Sequence, residues 1–526
     1  MAETIAAIST APGEAGIGIV RTSGPASLDI MKKLMDKCPA EVEPRHAYLG
    51  RVVAGSSGKE DGVCRADGAG ASIDTARAGG GSDAVAAREV IDQAVFIYMK
   101  APHSYTGEDV LEIQAHGSNV GLRRILREVL SSGAAGVRLA EPGEFTKLAF
   151  LNGKMDLSQA EAVIDVIKAK TELSLDIAGG QMEGRLGRAV RGIRTKLLDT
   201  LSEIAVNIDY PDEDEENTGD GSTARIADDL LKAKGEVDKL LETAAIGRIA
   251  REGVRAAIVG KPNAGKSSLM NAILGEGRVI VTDIPGTTRD TVEESASLGG
   301  LPIVLIDTAG LRDTEDAVEK IGIERTGQAI ETADLVMLVI DSSSPLDEQD
   351  EKVLGYLEGF DRGRLLVVLN KTDLGEAVTE EDMCRILPGA AIVKTALKGE
   401  DKAATGEGGI GKDAEAAGDG RGGDKNEGAG PTEAARRISE AVGAMHGLMD
   451  INVKEMNIVS NERHAALLRN ASADLAEAAG ILAAGGPLEV AELSARYAYD
   501  SLGAIIGEEA GEEIIDNVFS KFCLGK

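Results

Sequence analysis

Residues Gly260–Ser267 read G-K-P-N-A-G-K-S, and no other stretch narrows the fold so far. An apolar, β-branched run, Val254–Val259, leads into it, and a helical pattern, Ser268–Leu274, leaves it. Strand, glycine loop and helix in that order form the context of a phosphate-binding loop. Successive backbone N–H groups there make a concave nest for anionic oxygens, and the helix adds its positive end. Gly260 and Gly265 allow backbone shapes that a Cβ forbids. Lys266 then reaches the β- and γ-phosphates and the Ser267 hydroxyl ligates Mg²⁺. Asn263, Ala264, Gly265 and Ser268 complete the expected phosphate-contacting set. A chance glycine turn is the alternative, and the downstream motifs argue against it.

Those motifs come in a consistent order. T-D-I-P-G-T-T-R-D (282–290) is rich in Gly and Thr and suits a mobile switch. Thr282, Asp283, Ile284, Pro285, Gly286, Thr287 and Thr288 are its expected nucleotide contacts, with Thr288 as a second Mg²⁺ ligand. Val292–Leu298, a Gly299-Gly300 turn and Leu301–Ile306 read as a hairpin. D-T-A-G follows as Asp307, Thr308, Ala309 and Gly310, with Asp307 placed to hold Mg²⁺ through water and the Gly310 N–H to meet the γ-phosphate. Leu335–Ile340 and Leu365–Leu369 are continuous apolar runs, as buried parallel strands require. N-K-T-D (Asn370, Lys371, Thr372, Asp373) closes the second run. The Asp373 carboxylate accepts both the N1–H and the N2 amino protons of guanine. Adenine offers neither, so a buried acceptor would go unpaired, and this selects GTP over ATP. Thr395-Ala396-Leu397 is the expected last base contact, with T-G-E-G-G-I at 405–410 as a weaker competitor. Leu311 stands where Ras-like enzymes carry the glutamine that orients water. Glu319, Arg289 or a bound cation must serve instead, and Asn263 could offer such a cation an oxygen.

The chain has 526 residues, 43% hydrophobic, 2% aromatic and without Trp, so its cores must be built from Ala, Leu, Ile and Val. A net charge of −31 argues against a general coat for nucleic acid and confines RNA contact to local basic patches. Four scattered cysteines have no metal or disulfide spacing, which favours a reducing compartment. The N-terminus lacks a basic or long apolar leader, and no run reaches membrane-spanning length, so a cytoplasmic location without a membrane is expected.

Residues 55–89 and 399–430 are low-complexity insertions. Before the first lie strand patterns at Thr4–Ile8 and Ile17–Arg21; after it come strands Gln93–Met99 and Val110–Gln114 and a helix Val120–Leu130 with Arg123, Arg124 and Arg127 outward. Glu112 falls on the polar phase of its strand, where a carboxylate could bond a polar heterocycle; a solvated face is the commoner case, as it is for Arg21. Ser158 and Glu161 read as a capping box. Leu186, Val190, Ile193, Leu197, Leu201, Ile204 and Ile208 recur at helical spacing and suit a bundle. Arg185, Arg188, Arg191 and Arg194 share that helix and either hold RNA phosphates or solvate its surface. D-Y-P-D-E-D-E-E (209–216) breaks it, and Ile226–Leu241 is again amphipathic. Helices thus flank the nucleotide segment, as an insertion would require.

G-K-P-N-A-G-K-S-S-L, D-I-P-G-T-T-R-D, D-T-A-G-L-R, N-K-T-D, P-G-E-F-T-K-L-A-F-L-N-G-K-M-D-L-S-Q-A-E-A and the terminal F-C-L-G-K together resemble the bacterial tRNA-modification GTPase family called MnmE or TrmE. The resemblance covers nearly the whole chain apart from the insertions. It implies a multidomain α/β plus all-α fold: an N-terminal α+β folate-binding and dimerisation domain (1–152), a helical-bundle domain (153–250 and 442–526) and an inserted Ras-like P-loop GTPase domain (251–441). It implies a homodimer that binds 5-formyl- or 5,10-methylene-tetrahydrofolate, with Arg21, Glu112 and Lys154 as matched contacts and Lys526 joining them. It also implies K⁺ at Asn263, Thr282, Ile284 and Thr287, promoting G-domain dimerisation, with Glu319 helping to activate water. The family acts with an FAD-binding partner, MnmG (GidA), in a heterotetramer. Together they add an aminomethyl or carboxymethylaminomethyl group to C5 of the wobble uridine of certain tRNAs. Cys523 matches the family's C-terminal cysteine and is either a nucleophile or a packed tail residue beside Phe519 and Phe522. Two other functions are to be weighed: a ribosome-assembly GTPase switch, which would need an appended basic RNA domain, and a folate aminomethyl-transferase with a regulatory G domain.

Overall fold

The computed structural model describes residues 3–54, 89–209, 220–276, 294–306, 329–397, 433–447, 456–508, 511–523 and 525. Residues 55–88 and 399–430 of the two expected insertions, and 210–216 of the acidic turn, lie outside them. The chain forms two compact units, Met1–Glu161 with Glu509–Lys526, and Ala162–Glu508. The last residues therefore group with the first unit, whereas the sequence reading assigns all of 442–526 to the helical part.

In the first unit, β1 (Thr4–Ile8), β2 (Ala15–Ser23), β3 (Ala47–Val53), β4 (Val90–Met99), β5 (Val110–Gly117) and β6 (Val137–Leu139) make one sheet of order β3-β4-β5-β2-β1-β6. Only the β1–β6 pair is parallel. Side chains alternate across a strand, so each strand supplies both faces. Val20, Leu111 and Ile113 join Ile30, Met31 and Leu34 of helix Ser27–Leu34 and Leu122, Ile125 and Val129 of helix Asn119–Leu130 in the main core. The opposite face carries a smaller cluster, Ile5, Ala7, Ala140 and Phe145, flanked by Tyr105 and Leu148. Arg21 and Glu112 sit one residue out of phase with the main core, on this second face.

The expected cap of helix Leu157–Lys168 is displaced. Asp156 Oδ1 accepts from Gln159 N (3.0 Å), and Asp156 N donates to Gln159 Oε1 (3.0 Å). The reciprocal box is thus Asp156/Gln159 and not Ser158/Glu161. A carboxylate two residues earlier takes the orphan N–H groups first, and Ser158 Oγ donates to it (2.6 Å).

In the second unit, helices Arg185–Asp209, Asp220–Glu242, Glu462–Ala483 and Leu488–Ile506 enclose a core. Leu186, Val190, Ile193, Leu197, Leu201 and Ile204 meet Leu230, Val237, Leu468, Leu475 and Leu502 there. Ala233, Ala465, Ala471, Ala478, Ala491, Ala495 and Ala498 fill the remaining contacts, which is how an aromatic-poor chain closes a bundle. Arg194 departs from expectation. Only 6% exposed, it stacks 4.0 Å over the Tyr499 ring and pairs with Glu508, so it is not offered to RNA. Arg188 and Arg191 remain exposed.

The same unit holds β7 (Val254–Val259), β8 (Glu294–Leu298), β9 (Leu301–Leu305), β10 (Leu335–Asp341), β11 (Leu365–Asn370) and β12 (Ala391–Lys394). Their order is β12-β11-β10-β7-β9-β8, parallel except for β8. The β8–β9 hairpin turns on Gly299 and Gly300, both at positive φ (56° and 83°), as a tight two-residue turn demands. β11 is buried from end to end and β10 up to its last residue, Asp341, which explains their unbroken apolar runs. After β7 the chain passes to β8 and β9 on one side and then to β10 on the other. Ligands of open α/β sheets bind beyond the carboxyl ends of the strands at such a switch point.

Candidate functional site

The loop leaving β7 occupies that position, followed by helix Lys266–Glu276. Three of its residues have positive φ: Gly260 at 149°, Asn263 at 63° and Gly265 at 114°. A Cβ on Gly260 would stand 2.4 Å from Val339 O of β10, and one on Gly265 would stand 2.0 Å from Asn370 Nδ2. Both glycines are therefore demanded by close approach as well as by conformation. Lys266 Nζ donates to the carbonyls of Gly260 and Lys261 (both 2.9 Å), which holds the ammonium over the loop. Burial lowers its pKa. Ser267 is exposed at the helix start. Asn263 is exposed in the loop, with its side chain available to a ligand.

The N-K-T-D segment ends β11 and meets this loop through Asn370, which is 3% exposed. Its Nδ2 donates to Ala264 O (2.9 Å), while its Oδ1 accepts from Leu397 N (3.3 Å) and Thr395 Oγ1 (3.4 Å). Thr372 N and Oγ1 both donate to Thr395 O (3.2 and 3.1 Å). Thr395–Leu397 is thus fastened beside N-K-T-D. The competing segment 405–410 lies outside the described residues. Lys371 has φ 63° and donates to Asp341 Oδ2 (2.5 Å). Asp373 is exposed at the open end of the motif.

Three acidic residues escaped the sequence reading. Asp341, at the end of β10, grips Lys371. Asp347 and Asp350 grip Lys261 of the phosphate loop. The D-x-x-D spacing ahead of helix Glu348–Tyr356 was a legible capping signal, though its reach to Lys261 was not.

Thr282, Asp283, Ile284, Pro285, Gly286, Thr287, Thr288, Arg289, Asp307, Thr308, Ala309, Gly310, Leu311, Glu319 and Lys526 lie outside the described residues. Among the described residues, no group of three or more His, Cys, Asp and Glu side chains is placed to hold a metal, and no helix is long and apolar enough to cross a membrane.

On the second face of the first unit, Arg21 and Glu112 are direct partners across β2 and β5. Arg21 Nε and Nη2 donate to Glu112 Oε1 (3.0 and 2.8 Å). The guanidinium lies 5.7 Å from the ring centres of both Tyr105 and Phe145. Burial raises the Tyr105 pKa, and its hydroxyl bonds Thr146 Oγ1 (2.9 Å). The result is a paired donor and acceptor beside the partly buried Tyr105 ring, backed by the buried Phe145, and its polar groups suit a heterocycle with both kinds of polar edge. Lys154 is tied to the neighbouring loop, its Nζ donating to Pro102 O (2.9 Å). Cys523 is exposed, while Phe519 and Phe522 beside it are buried with ring centres 5.4 Å apart. The aromatics, and not the thiol, pack the tail.

Comparison with known proteins places the tail differently, since the helical-domain match runs to residue 523. A model of the MnmE helical domain matches residues 157–523, and one of the GTP-binding protein TrmE N-terminus matches 4–154. The tRNA modification GTPase MnmE of Geobacillus kaustophilus is 40% identical over 529 residues, covering 100% of this chain and 99% of that protein. Its Bacillus subtilis counterpart is 37% identical over 528 residues, covering 100% of both. Among solved structures, the G domain of the T. maritima FeoB iron transporter is 30% identical over 28% of this chain and 89% of that one, at a TM-score of 0.21, too weak a superposition to bear weight.

Proposed function

The chain belongs to the MnmE (TrmE) family of tRNA modification GTPases, and from that premise we propose that it spends GTP on modifying the wobble uridine of certain tRNAs. The observation that carries the guanine-nucleotide half is the Asn370 side chain, which ties the phosphate loop to the base loop at the sheet's switch point. The loop N–H groups and Lys266 hold the β- and γ-phosphates, and Asp373 reads guanine. Ser267 and Thr288 hold Mg²⁺. Asn263, Thr282, Ile284 and Thr287 hold K⁺. When bound, these ions supply positive charge against the γ-phosphate oxygens. Leu311 cannot orient water, and Glu319 takes that part.

In this reading the G domain, 251–441, interrupts a helical domain. The bundle supports this, because helices from before and after the interruption share one core. The Arg21–Glu112 pair beside Tyr105 is the folate-contacting centre, with Lys154 and Lys526 completing it. When bound, the tetrahydrofolate supplies the one-carbon unit, 5-formyl or 5,10-methylene. The chain works as a cytoplasmic homodimer, joined by an FAD-binding MnmG partner in a heterotetramer. That complex adds the aminomethyl or carboxymethylaminomethyl group to C5. Dimerisation of the G domains, promoted by K⁺, activates hydrolysis.

Mass spectrometry of tRNA nucleosides after deletion of the gene tests the reading. Loss of the C5 wobble modification, restored by the parent chain and not by a K266A variant, is expected. Intact nucleosides with stalled ribosomal particles would replace it with a ribosome-assembly switch.

A further inference from the structure

The second residue of the phosphate loop, Lys261, has no nucleotide or ion contact assigned above, yet it is only 9% exposed. Its Nζ donates to Asp350 Oδ2 (2.6 Å) and Asp347 Oδ2 (3.0 Å). Asp347 is the N-cap of helix Glu348–Tyr356, Asp350 is its third residue, and the two form a reciprocal capping box. Their positions are therefore set by a helix start that needs no nucleotide. Asp350 is 1% exposed. Burial alone would lower the Lys261 pKa, but the bonds to Asp350 and Asp347 outweigh it and raise the pKa above its ordinary value.

The backbone of the same residue faces the other way. Lys261 O accepts from Lys266 Nζ (2.9 Å) and from Ala264 N (3.3 Å). One residue is thus clamped by its side chain to a neighbouring helix and holds, with its carbonyl, the lysine that meets the phosphates. A buried ion pair adds little net stability over an apolar pair of the same size, so stability alone is a weak reason for placing one here. Loss of Lys261 would strand the buried Asp350 carboxylate, and loss of Asp350 would leave Lys261 only the more exposed Asp347; in either case the loop must shift to hydrate the charge that remains.

We infer that Asp350 is a positioning residue for nucleotide binding, acting through Lys261 to fix the carbonyl that orients Lys266. The inference rests on the reading of Gly260–Ser267 as the phosphate loop.

The test is release of a fluorescent GDP analogue from the full-length chain, alongside GTP turnover and thermal unfolding. Asp350→Asn should release the analogue about ten- to a hundred-fold faster, the effect of losing a hydrogen bond to a charged group. Turnover at saturating GTP should change far less than KM. Lys261→Met should behave likewise, and Lys261→Arg, which keeps charge and donor, should recover most of that loss. A folded Asp350→Asn chain with the parent release rate would overturn the inference. Should that variant unfold, the double change Lys261→Met/Asp350→Leu removes both charges while keeping the volume filled. It should fold and still release the analogue at least ten-fold faster; the parent rate in that double variant would also overturn the inference. A parent chain that binds no guanine nucleotide would remove the phosphate-loop reading, and this inference with it.

Discussion

Gly265→Ala probes the joint between the phosphate loop and the base loop most directly. Gly265 has φ 114°, and an added methyl would lie 2.0 Å from Asn370 Nδ2. That amide cannot simply swing aside, because it donates to Ala264 O and accepts from Leu397 N. Holding alanine at this φ costs about 1–3 kcal/mol. Displacing Asn370 forfeits at least one buried hydrogen bond, about 1 kcal/mol. The sum, about 2–4 kcal/mol, corresponds to a fall in GTP affinity of roughly 30- to 1,000-fold. Titration calorimetry on the full chain reads it. The cycle with Asn370→Ala sharpens the test. Removing the amide clears the clash, so the double variant should lose less than the sum of the single losses, by about 1–2 kcal/mol. Undiminished affinity in Gly265→Ala, or strict additivity in the cycle, would refute the close-approach argument.

Asp373→Asn should weaken GTP and admit xanthosine triphosphate, whose C2 carbonyl meets the new amide; competition binding that still favours guanine would count against the base assignment. GTP turnover should be faster in K⁺ than in Na⁺ at equal ionic strength, and equal rates would withdraw Asn263 as a cation ligand. Burial alone would raise the Asp341 pKa, but bonds from Lys371 and Ser343 outweigh it and hold the carboxyl below its ordinary range. A depressed carboxylate pKa contributes stability that is full above the unfolded value of about 3.9 and is lost as pH falls through the folded value. Folding stability should therefore stay level down to about pH 4 and drop below it, whereas Asp341→Asn should be less stable at pH 7 and lack that contribution to the acid limb, as thermal unfolding against pH reads. An identical acid limb in the two proteins would exclude the Asp341–Lys371 pair as its source.

The helices and strands were largely legible because their signals are short-range. The stripe from Leu186 to Ile204 fixed which face of its helix is buried, and the Gly299-Gly300 pair marked a hairpin with a two-residue turn. Arg194 was misread because its spacing matches that of the exposed arginines, while its partners, Tyr499 and Glu508, arrive from about three hundred residues away. Ser158 was misread because two overlapping caps competed, and the shorter path to the orphan N–H groups belonged to Asp156.

Residue order alone determined that a glycine loop joins a β-strand to a helix, that an N-K-T-D segment follows a buried strand, and that helices flank both. Each follows from the conformational limits and polarity of neighbouring residues. Only the tertiary structure decided that Asn370 would reach Ala264, 106 positions earlier, that Arg21 would face Glu112, and that Lys261 would be held by Asp350. Which distant polar groups must satisfy one another is set by sheet register and by water's exclusion from the core, and neither acts until the strands have paired.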